Sequence, residues 1–137
     1  MNISIINFSK GPCIYNEDVR RKASENNVEY EITPRMRYSD DSDYIGFQLD
    51  IIVMDAEKLV YKTGFLIGLA VNGWSEKLRG GLDLDKNREV IDHICECAWY
   101  VASGIVAQQT ALSDGMSIIL PAIDISKFRK QVILLKQ

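Results

Sequence analysis

The sequence predicts an α+β fold: a four-stranded antiparallel sheet packed with a long helix and a short C-terminal helix. Three observations predict it. The apolar residues alternate over most of residues 28–74, and their spacing turns helical after Gly81. The strand-like segments come first and the helical ones follow, an order that favours antiparallel pairing over βαβ crossovers. Finally, 137 residues, 47% of them hydrophobic, are enough for one core and contain no repeat or linker, so residues 1–137 read as a single domain.

Each element has its own reason. Residues 3–8 are an apolar run that supplies a first strand. Over residues 28–38, Val28, Tyr30, Ile32, Met36 and Tyr38 share one parity, with charged or polar residues between them. Pro34 falls on the apolar parity and has no N–H for a ladder, so this strand is expected at an edge or with a bulge. The acidic run from Ser39 to Asp43 is turn chemistry. Residues 44–54 and 59–74 give two further strands, joined by a turn at Asp55-Ala56-Glu57-Lys58. Beyond Gly80-Gly81, with Asp83 or Asp85 as cap, Val90, Ile91, Ile94, Cys97, Ala98, Val101, Ile105 and Val106 form a helical stripe. This helix is expected over 85–112, with Ser113-Asp114-Gly115 as its stop. Residues 116–125 are extended and apolar around Pro121; Ser126 then caps a short basic helix with Phe128, Val132 and Leu135 on one face.

Charge and composition exclude several classes. A net charge of -3 argues against a binder of nucleic-acid backbone. Three cysteines, an odd count, do not make a secreted disulfide framework. The N-terminus lacks the basic start of a secretory peptide, and the most apolar stretch, 64–71, is far short of the ~20 residues that cross a bilayer. A soluble, cytoplasmic protein without membrane insertion is expected.

Little in the chain asks for catalysis. His93 and Cys97, four apart on a helix, would supply two ligands of a metal site, but no second His exists and Cys13 is the one cysteine outside this cluster. Cys95 and Cys97 have a simpler reading as small buried hydrophobes. Asp50, Asp55, Asp83 and Asp85 read as solvated, turn or cap residues, and Gly80-Gly81 lacks the spacing of a phosphate loop. No catalytic residue, metal or cofactor is expected.

The surplus lies elsewhere. Trp74, Trp99, Tyr100, Ile118, Ile119, Leu120, Ile123 and Ile125 fall partly outside the main stripes, and together point to an oligomer interface, a groove for extended apolar ligands, or both.

The order of elements and two local stretches resemble the SecB family of export chaperones. Thr63-Gly64-Phe65-Leu66 resembles the family's T-A-F-L, and Leu120-Pro121-Ala122-Ile123-Asp124-Ile125 resembles its L-x-P-x-N-F before a capped second helix. Where the family carries C-P-N-x-L-F-P-Y in its long helix, this chain has Cys95-Glu96-Cys97-Ala98-Trp99-Tyr100-Val101, and Lys136-Gln137 stand in place of the acidic tail that typical members use with the SecA motor. The resemblance implies a chaperone for unfolded polypeptides, working in export with SecA or in control of a toxin–antitoxin pair. It also implies a homotetramer, a dimer of dimers with long helices between sheets. On that basis Ile94, Ala98, Val101 and Ile105 are expected at the oligomer interface. Phe65, Trp74, Ile118, Leu120, Ile123 and Ile125 are expected to line the client groove. Two readings from other classes stay open: a hotdog-like acyl-thioester enzyme, and a structural adaptor that binds no client. A hotdog fold usually places its long helix early, whereas here it follows the strands.

Overall fold

A computed structural model describes residues 2–22, 28–77, 82–83, 85–111 and 118–137. It is α+β, with a mixed sheet of six strands and one long helix. In chain order the elements are β1 (Ile3–Lys10), β2 (Ile14–Tyr15), α1 (Glu17–Lys22), β3 (Val28–Tyr38), β4 (Tyr44–Asp55), β5 (Lys58–Val71), α2 (Trp74–Lys77), α3 (Arg88–Gln109), α4 (Ile125–Gln131) and β6 (Ile133–Lys136). The sheet order is β1-β5-β4-β3-β6, and β2 also pairs with β5.

Alternation in the sequence becomes two-facedness in the sheet. Phe47, Leu49 and Ile51 of β4 stand beside Ile67, Phe65 and Thr63 of β5, all buried on one face. Their even-numbered neighbours, among them Gln48, Asp50, Lys62 and Leu66, occupy the other face. Helix α3 covers the dry face with Ile91, Ile94, Ala98, Ala102 and Val106. Phe128 of α4 joins the layers: its ring lies 6.3 Å from that of Phe47 and 5.6 Å, edge on, from that of Trp99. Arg129 beside it, 7% exposed at the side chain, donates to Asp92 of α3 at 2.6 Å.

Six strands replace the expected four, and the sheet is mixed rather than antiparallel. The pairs β1·β5, β5·β4 and β4·β3 are antiparallel; β6 adds in parallel to β3 at Arg35–Tyr38. The last residues were expected to continue a helix through Leu135. Instead Val132 turns extended (φ -64°, ψ 123°), and residues 133–136 satisfy the backbone groups of β3's open edge. Pro34 sits one residue before that pairing begins, where β3 has no neighbour on its outer side.

Other boundaries move for local reasons. Strand β5 stops at Val71, not Trp74, because Gly73 takes a positive φ of 79°. Asp43 then accepts the backbone N–H groups of Ser75 at 2.9 Å and Gly73 at 3.3 Å. These bonds, that of Ser75 first, hold its carboxyl below the usual carboxylate range. Helix α3 begins at Arg88 rather than Asp85, since Asp83 accepts from Asp85 and Lys86 and closes a turn ahead of it. It ends at Gln109 with Thr110 as C-cap. The expected end at Leu112, the Ser113-Asp114-Gly115 stop and Gly80-Gly81 lie outside the described residues. Asp124, not Ser126, caps α4, accepting from the N–H groups of Ser126 and Lys127. Among the described residues one helix, α3, is long and apolar enough to cross a membrane by length and composition, a test that a core helix also passes. Its buried stripe packs on the sheet.

Candidate functional site

The segment from Ile118 to Ile125 crosses the outer flank of α3. Pro121 keeps it from coiling, and Thr110 fixes where it starts. The Thr110 hydroxyl, fully buried, donates to the Val106 carbonyl at 2.7 Å and accepts the Ile118 N–H at 2.8 Å. Tyr15 of β2 donates to the Thr110 carbonyl at 3.0 Å, so the helix end, the sheet edge and the segment are tied at one residue. Extended backbone then alternates the side chains: Ile118 and Leu120 turn in and are buried, while Ile119, 72% exposed, turns out.

Between this segment and α3 lies a groove of about 380 Å³. Trp99, Tyr100 and Ser103 form the helix side; Leu120, Ile123 and Ile125 form the other. Tyr100, 73% exposed, stands at the lip. The Ser103 hydroxyl donates to the Trp99 carbonyl at 2.8 Å, which uses its donor within the helix and leaves the wall mostly apolar. Glu96 is the one carboxylate of the lining, with His93 Nδ1 4.0 Å from it.

Three of the six residues expected in a client groove, Leu120, Ile123 and Ile125, meet here. Ile118 is buried at the start of the same segment. Phe65 and Trp74 are elsewhere: Phe65 packs on Phe8 at 5.7 Å between ring centres, and Trp74 is fully buried at the start of α2. Glu96, Trp99, Tyr100 and Ser103 from the helix, with Pro121 and Ala122 from the segment, complete the lining. The two aromatics were visible as surplus apolar residues; the spacing of 96, 99, 100 and 103 is the signal that puts all four on one flank of a helix. Of the four residues expected at an oligomer interface, Ile94 and Ala98 are already wholly covered within the chain. They pack the sheet because α3 turns that stripe inward. Val101 and Ile105 are half-buried beside the outward face that carries Tyr100 and Gly104.

The two thiols of α3 are raised toward the neutral form. Burial first, and then the Asp92 carboxylate, pushes the Cys95 thiol up to about 12, so it is neutral near pH 7. Burial and Glu96 raise Cys97 as well. Among the described residues, no three side chains of His, Cys, Asp or Glu gather as a metal would need. What the groove can offer is apolar contact area and one negative charge. No protein-family model matches this chain, and no curated protein matches it either.

Proposed function

We propose that the chain is a divergent SecB-like chaperone that holds unfolded or non-native polypeptides, in protein export or in control of a toxin–antitoxin pair. The observation that carries this reading is the groove between α3 and residues 118–125, open to solvent and walled by Trp99, Tyr100, Leu120, Ile123 and Ile125. An extended client would lay apolar side chains along it, gaining roughly 25 cal/mol per Å² removed from water. Folded proteins expose too little such surface in extended form, so non-native chains are selected. A client with several apolar segments gains further from binding more than one groove of an oligomer.

On this reading the antiparallel set β1-β5-β4-β3 with α3 and α4 is the SecB-like part of the fold, and β2 and β6 are additions to it. The assembly is a cytoplasmic homotetramer, a dimer of dimers built on the outward face of α3. Its partners are unfolded polypeptides together with SecA or a toxin–antitoxin pair. It performs no reaction and needs no cofactor, metal or nucleic acid.

The test is suppression of aggregation of a chemically denatured protein by wild type and by the Tyr100→Ala/Ile123→Ser double variant. Tyr100 stands at the lip and Ile123 is half-buried against the core, so the variant is first shown by its melting profile to stay folded, and it then loses most of the suppression. Full suppression by the variant overturns the assignment of the groove. Turnover of an acyl thioester by wild type would replace the chaperone with the hotdog-like enzyme, and failure in both assays would leave the adaptor.

A further inference from the structure

The opposite face of the sheet carries a second concavity of a different character. It begins where the edge segment β1–β2 passes Thr63. Gly11 donates its N–H to the Gly64 carbonyl at 2.8 Å, and Ile14 stands opposite Lys62. Pro12 and Cys13 together therefore face the single residue Thr63, a two-against-one bulge. Beyond it Ile14 is 48% exposed, and an open cleft of about 750 Å³ lies against the β4 and β5 residues that face away from α3.

Its floor is aliphatic. Ile52 and Leu66 contribute from the sheet, Leu66 with 38% of its surface exposed. Gly64 keeps the floor low: a Cβ there would come within 2.8 Å of Asp50 Oδ1. The charges are one-sided. Asp50 is held in an ion pair by Arg35 and also accepts from Gln48, so its charge is largely spent. Lys10 and Lys62 line the cleft too, and neither forms an ion pair among the described residues. On a chain of net charge -3 this is a local patch of opposite sign.

We infer that this cleft docks an extended acidic segment of a partner protein. An aliphatic side chain seats among Ile14, Ile52 and Leu66, and flanking carboxylates meet Lys10 and Lys62. A cleft open along its length leaves much of an occupant in water, which suits a peptide crossing it better than a small ligand that must be enclosed. Phe65 of the lining is buried, so two ammonium groups over an aliphatic floor offer neither the open stacking rings nor the run of cations that a nucleic-acid strand needs. The inference does not rest on the chaperone reading, whose groove lies on the other side of the sheet and carries Glu96.

The experiment is fluorescence anisotropy with a labelled short peptide in which Leu and Ile alternate with Asp and Glu, set beside the same peptide with Lys and Arg in the acidic places. The acidic peptide binds and the basic one does not; Lys62→Glu weakens the acidic peptide about tenfold, and added salt weakens it further. Leu66→Asp, at an exposed position, has an effect of the same order with an unchanged melting profile. Amide shifts on titration fall at residues 10–14 and 62–66. Equal affinity for the two peptides, indifference to Lys62→Glu, or loss of acidic-peptide binding in the Tyr100→Ala/Ile123→Ser variant overturns the inference. Stoichiometric displacement of the peptide by oleate would reassign the cleft to lipid carboxylates and overturn it as well.

Discussion

Asp92 and Arg129 show how a single pair can hold two elements in place. The guanidinium is nearly inaccessible and its carboxylate partner about three-quarters covered, so removing one member leaves the other charged and dry. Asp92→Ala is expected to cost about 3 kcal/mol in urea denaturation, within the range for broken buried pairs. The Asp92→Leu/Arg129→Met double variant should recover most of that loss, and a double variant as unstable as the single one would show that the pair itself, not the stranded charge, accounts for it. This pair was not legible in the sequence. Asp92 and Arg129 lie on separate helices, and neither has a spacing partner that marks it. Trp74 escapes the pattern for a related reason: nothing local in the sequence stops the strand decisively at Val71, while the turn that removes Trp74 from it depends on Asp43, some thirty residues earlier and close only in the fold. Leu120, Ile123 and Ile125 were legible because apolar residues around Pro121 have few structural uses other than an extended, half-covered segment.

At the scale of elements, what could be read followed periodicity. Strands β3, β4 and β5 repeat the period-2 pattern over 11, 12 and 14 residues, long enough for the pattern to exclude a helix. Strands β2 and β6 have two and four residues, too few to show a period, and their conformation is set by the edges they meet. Strand β6 closes the end of β3: its parallel ladder covers Arg35–Tyr38, and the Gln137 N–H donates to the Tyr38 carbonyl at 2.8 Å. Truncation after Val132 would uncover those backbone groups beside the buried Met36. Hydrogen exchange at Met36 and Tyr38, whose backbone groups face β6, is then expected to accelerate by about tenfold or more, the signature of local rather than global opening. Unchanged protection would mean that β6 contributes no closure.

For the molecule as a whole, the outward face of α3 decides whether one copy is enough. Tyr100 is open there, a Cβ built on Gly104 meets nothing within 4 Å, and Val101 and Ile105, half-buried against the core, lie beside them. Gly104→Glu is therefore a clean probe of assembly. In an isolated chain the change relieves a helix-interior glycine and is worth about 0.5–1 kcal/mol of stability. In a tetramer packed through this face it places a charge in an apolar contact and drives dissociation. Sedimentation equilibrium should show wild type as a tetramer and the variant as a smaller, well-folded species; a monomeric wild type refutes the assembly. Whichever species is found, the chain presents an apolar groove with one negative charge on the helical side and a positively charged cleft on the other, so two occupants would not compete for space.

The parallel pairing of β6 with β3 also bears on the order of events during synthesis. Strand β3 leaves the ribosome before β4 and β5, and the β3–β4 hairpin and then the β4–β5 hairpin can close as soon as those strands emerge, since their contacts are local. The partner for the end of β3 is the last strand of this sheet to be made. Until β6 emerges the nascent sheet therefore carries an open edge next to Met36. A protein proposed to guard other chains against sticky edges passes through the same hazard during its own birth.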